Sequence, residues 1–71
     1  MTITDEERAG IERIIGRWHK NAELHRMGGR HDQARQDCNW LFGLQVGLQA
    51  LGLKDLALMA DDAQNVDSYE E

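Results

Sequence analysis

The chain reads as an all-α protein: a long antiparallel helical hairpin, a short third helix and an acidic tail. Three observations give that reading. The stretch Cys38 to Leu53, CNWLFGLQVGLQALGL, runs sixteen residues without a charge and must supply most of the core. Apolar residues elsewhere recur at three- and four-residue spacing, the period of a helix rather than of a strand. Proline is absent throughout, and the strongest break in the chain is the single step Gly28-Gly29.

The first helix is expected over residues 4–27, after a frayed lead-in from Met1 to Ile3. Thr4 is a good N-cap, and Glu7 three residues on completes a capping box. Asp5 and Glu6 add negative charge where the helix dipole favours it. The apolar stripe is Ile11, Ile14, Ile15, Trp18 and Ala22, with His25 at its end. Arg8 and Glu12 form an i,i+4 pair on the exposed side. Gly28 suits the left-handed conformation that ends many helices, and Met27 to Arg30 is a loop short enough to join antiparallel neighbours.

The second helix is expected over residues 32–52, with Gly29, His31 or Asp32 as its N-cap and Gly52 at its end. On a helical wheel Ala34, Cys38, Leu41, Leu44, Gln45, Leu48 and Leu51 fall in one stripe. If the hairpin closes, contacting residue numbers sum to about 59 or 60, since each step up one helix is a step down the other. Ala22 then meets Cys38, Trp18 meets Leu41, Ile15 meets Leu44 or Gln45, and Ile11 meets Leu48. A second apolar group, Phe42, Val46 and Ala50, lies off that stripe, with Gly43 and Gly47 beside Ala50 and Trp40 near them. A helix apolar nearly all round is buried on more than one side. Each interior glycine costs roughly 0.8–1 kcal/mol relative to alanine, so Gly43 and Gly47 need a reason. Glycines four apart make a strip that another backbone can approach closely, from within the chain or from a second copy.

The third helix is expected over residues 54–64, with Leu56, Ala60 and Ala63 on one side. Residues 1–64 thus form one helical domain. Residues 65–71 lack periodicity and are expected to be a flexible acidic tail, with Tyr69 its only anchor.

A chain of this length buries only ~60% of the surface its unfolded form exposes. Cys38 is the only cysteine, so no disulfide can staple it. Oligomerisation is the remaining common route to stability, and the two-sided second helix offers the surface. The expected self-association interface is Trp40, Phe42, Gly43, Val46, Gly47 and Ala50. The charge-free stretch is too short and too interrupted by polar residues and glycine to span a membrane. The acidic N-terminus lacks the basic region of a signal peptide. With one free thiol, this points to a cytoplasmic setting.

Charge is unevenly spread: the first 35 residues balance at +1, whereas residues 36–71 carry −6, for a total of −5. Arg13, Arg17 and Lys20 form a basic row on the far side of the first helix, continued by Leu24 and Met27. Such a row is ordinarily a solvated face. It is also a candidate contact for a phosphate or an acidic partner, or for Asp61 and Asp62 of the third helix. Residues 51–66 echo the first part of a DNA-binding helix-turn-helix, but the recognition position is acidic. Phosphate contacts need Lys and Arg, so direct DNA binding is not expected. An acidic nucleic-acid mimic is the converse alternative.

His25, His31, Asp32 and Cys38 gather near the loop of the hairpin, yet their spacing matches no metal-ligand pattern, and no metal or other cofactor is expected. Asp61 and Asp62 are adjacent and point about 100° apart on a helix, so they do not make a catalytic pair. No base and orienting group surround a nucleophile. The expectation is therefore a small non-enzymatic interaction module (inhibitor, adaptor or regulator) acting as a homodimer or higher oligomer. The alternative is an oligomeric binder of an anionic small ligand on Arg13, Arg17 and Lys20.

Overall fold

The computed structural model describes residues 2–65. Among them are three helices and no strand: α1 Asp5–Met27, α2 His31–Ala50 and α3 Lys54–Asp62. Helices α1 and α2 form the antiparallel hairpin, and α3 lies mainly against α2. The expected tail, apart from Asn65, lies outside the described residues, as do Met1 and Tyr69.

Both turns of the fold use the same device. Helix α1 begins with the expected capping box: Glu7 N donates to Thr4 Oγ1 at 3.0 Å, and Thr4 N donates to Glu7 Oε1 at 2.9 Å. At its end, the left-handed residue is Gly29, at φ +78°, and not Gly28, whose φ is −85°. Gly29 N donates to Arg26 O and Arg30 N to His25 O, which satisfies carbonyls left over by the helix. Helix α2 ends in the same way. Gly52 takes φ +81°, Gly52 N donates to Gln49 O and Leu53 N to Leu48 O. Leu48 and Leu53 are both buried, giving the apolar contact that this motif usually carries. The residues that close each helix with their N–H open the next with their carbonyl: Ala34 N donates to Arg30 O and Ala57 N to Leu53 O. Arg30 and Leu53 serve as N-caps of α2 and α3 with no side-chain cap bond. None of Gly29, His31 and Asp32 is therefore the N-cap of α2.

The core is built from Ile15, Leu41, Leu48, Leu53, Leu56, Ala57, Ala60 and Ala63. Leu56, Ala60 and Ala63 are buried as the third-helix period requires. Ile3, Ile11, Trp18 and Leu44 pack against the cluster. Ile3 therefore belongs to the core edge and not to a frayed lead-in. Two residues assigned to apolar stripes are half exposed instead: Ile14 on α1 and Leu51 at the end of α2. Both sit at the margin of their stripes, where a third helix would be needed to cover them, and α3 lies on the other side.

Candidate interaction face

Helix α2 has two unlike sides. The inward side places Ala34, Asp37, Leu41 and Leu48 in the interior. The outward side runs through Gln36, Trp40, Gly43, Gly47 and Ala50, spaced four, three, four and three residues, which is the spacing of a helix–helix seam. Every one of these residues is exposed. Trp40 is 60% exposed, Phe42 55% and Val46 51%. A Cβ added at Gly43 or Gly47 meets no atom within 4 Å. Neither α1 nor α3 covers the glycine strip.

One edge of this side is shaped by tryptophan. Trp18 of α1 and Trp40 of α2 stack with ring centroids 5.9 Å apart and planes 21° from parallel. Such pairs contribute ~0.5–1.5 kcal/mol beyond their burial, and they hold the Trp40 ring against α1. A shallow groove follows, lined by Ile14, Trp18, Trp40, Gly43 and Leu44 with Gln36 and Asn39. Leu51, also half exposed, lies farther along the same edge of α2. The six residues expected at a self-association interface are thus all at the surface. Phe42 stands about 120° round the helix from the seam by helical rotation, so it borders that side and does not line its centre.

The basic row is also at the surface. Arg13, Arg17 and Lys20 are exposed, as are Leu24 and Met27. Asp61 and Asp62 are exposed too, and among the described residues no ion pair joins them to the row. The bond between α1 and α3 is made elsewhere. Arg8 Nη1 donates to Asp55 Oδ2 at 2.6 Å, so Arg8 reaches across to α3 and its ion pair is not the expected one with Glu12. The hydrogen bond from Arg8, helped by its charge, holds the Asp55 carboxyl below the usual carboxylate range, and the same bond raises Arg8. His19 Nδ1 donates to the Ala63 carbonyl at 2.8 Å, tying the end of α3 to α1.

The histidine, aspartate and cysteine group near the loop is not assembled. Among the described residues no three His, Cys, Asp or Glu side chains stand close enough to hold a metal ion. His25 turns inward instead, with Nδ1 2.6 Å from Asp37 Oδ2. Asp37 is only 6% exposed and is the buried charged residue among the described residues. Cys38, one residue on, faces the α3 side, where Sγ lies 3.7 Å from the Gln64 carbonyl. The inward position that the hairpin register gives to Cys38 opposite Ala22 is taken by Asp37, which is buried while Cys38 is only partly so. The signal was there: Asp37 precedes Leu41 by four residues and shares its stripe, while His25 ends the facing stripe. An acid and a base in opposing apolar stripes of a hairpin are a pair.

No protein-family model, no curated protein and no solved structure matches this chain. Among the described residues, no helix is long and apolar enough to cross a membrane.

Proposed function

We infer that the chain is a small protein-interaction module that works by binding and not by chemistry, and that it self-associates through the outward side of α2. The observation that supports this reading is the exposure of Trp40, Val46, Gly43 and Gly47 on a side that bears no charge from Cys38 to Leu53. Contiguous exposed apolar surface on a small protein marks an interaction site far more often than scattered single residues do. Two interior glycines weaken α2 by about 2 kcal/mol relative to alanine, and nothing inside the chain needs them. A neighbouring backbone does. A cytoplasmic setting and a role as inhibitor, adaptor or regulator belong to the same reading.

Light scattering coupled to gel filtration tests it. The open space beside Gly47 means that Gly47→Leu leaves the single-chain fold intact. The parent chain is expected to run at twice its monomer mass or more, and Gly47→Leu at monomer mass with unchanged helicity. A parent chain that is monomeric at all concentrations defeats the reading.

A second reading rests on the basic row, which no carboxylate among the described residues neutralises. Arg13, Arg17 and Lys20 then hold an anionic small ligand. Thermal stabilisation by nucleotides or phosphorylated metabolites, lost in Arg17→Ala, is its test. The acidic nucleic-acid mimic is a third reading, with Asp61 and Asp62 already on the surface.

A further inference from the structure

We propose that the partner at this face is a second copy of the chain, lying antiparallel along α2, with the partner's Leu51 seated in the groove between Ile14, Trp18 and Trp40. The proposal rests on the self-association reading above and specifies its geometry. Four features lead to it.

The first is charge. Each chain carries −5 in total, and two copies meeting across charged surfaces repel. The outward side of α2 is uncharged from Cys38 to Leu53, so a neutral apolar partner is the one that loses nothing on docking there. The same face on a second chain meets that requirement.

The second is area. The molecule measures 39 × 20 × 19 Å, so a face along its long axis offers about the ~800 Å² that each partner gives to a standard interface. A contact at one end of the molecule offers far less. A stable dimer of this chain must therefore run along the hairpin, and the uncharged part of that length is the Cys38–Leu53 stretch, which begins within α2 after Asp32, Arg35 and Asp37.

The third is size complementarity. The seam residues alternate as in a coiled coil, and in an antiparallel pair the two kinds of seam position face each other. Placing the two-fold axis midway between Gly43 and Gly47 sets Gly43 against the partner's Gly47. It sets Trp40 against the partner's Ala50. A large ring meets a methyl group, and a bare backbone meets a bare backbone. A parallel pair puts Trp40 against the partner's Trp40 and leaves the glycines facing a gap.

The fourth is the groove. Leu51 follows the seam on the edge nearer α1, the edge where Trp18 stacks on Trp40. Under the antiparallel two-fold, that edge of one copy lies beside the same edge of the other. The partner's half-exposed Leu51 then comes level with Asn39 and the exposed Trp40, at the Trp18 end of the groove, and each copy supplies the side chain that the other's groove lacks.

Disulfide trapping separates the arrangements. In a Cys38→Ser background, Gly43→Cys and Gly47→Cys are made singly, since a Cβ at either position meets no atom of the other helices within 4 Å. Disulfides form only where the Cβ atoms approach to about 4 Å. The antiparallel register predicts several-fold more covalent dimer in an oxidised mixture of the two variants than in either alone. Covalent dimer from each variant alone, with no gain on mixing, overturns the register while leaving self-association standing. Absence of covalent dimer with a parent chain of dimer mass does the same. Absence of covalent dimer with a monomeric parent overturns both. Leu51→Lys is the independent check on the seat. It places a cation at a helix C-terminus, where the dipole favours it, so helicity is kept. Monomer mass is expected, and an unaltered dimer defeats the role of Leu51.

Discussion

The two sides of α2 both carry large apolar residues and have opposite surroundings. Leu41 is 0% exposed within a core cluster drawn from all three helices, whereas Val46, five residues on, stands 51% exposed. The difference does not lie in the residues' hydrophobicity. It lies in the hairpin and α3 together enclosing only one side of the helix. Among the described residues only two other helices are there to cover a rod that is apolar nearly all round, and α3 spans only nine residues.

The sharpest way to break this contrast is a pair of truncations. Leu41→Ala opens a cavity at a fully buried core position and is expected to lower unfolding free energy by about 3 kcal/mol or more. Val46→Ala is expected to change the stability of the dilute, monomeric chain by under ~0.5 kcal/mol. Urea denaturation at low protein concentration measures both. Equal losses erase the distinction between the sides.

A smaller effect sharpens the picture of the inward side. His25→Ala removes the partner of a buried carboxylate and is expected to cost about 2 kcal/mol, reduced from the fully buried case because His25 is partly exposed. Asp37→Leu is expected to cost less, since it leaves no buried charge behind. The reverse order in denaturation experiments rejects the pair as the reason Asp37 is tolerated inside.

The smallest expected effect belongs to the exposed Arg8–Asp55 bond. Because the folded Asp55 carboxyl titrates below its unfolded value, its contribution is present above about pH 4 and is lost as pH falls through the lower, folded value. Both groups are solvated, so the contribution is slight. Asp55→Asn should flatten only the acid limb of a stability–pH curve. An effect of that substitution at neutral pH equal to that below pH 4 contradicts the assignment.

Much of the architecture was legible in the residues because it depends on local rules. The Thr4–Glu7 box, the Gly52 stop and the 3.6-residue period need only nearest turns to be read. The Gly28–Gly29 break was equally plain. The left-handed conformation fell to Gly29 because the carbonyls of His25 and Arg26 had to be satisfied by Arg30 and Gly29. The candidate face was legible as a composition, an apolar group off the main stripe. Its openness was not.

Sequence by itself determined three helices, their order and the hairpin, since periodicity, caps and breaks act over a few residues. Tertiary structure alone decided which helix sides are enclosed. It turned Asp37 inward with His25 and sent Arg8 to Asp55. It left Trp40, Gly43 and Gly47 uncovered, because α3 settled on the opposite flank of α2. Those outcomes depend on which surfaces meet, and the position of a short helix across a hairpin is set by packing volume and not by any pattern along the chain.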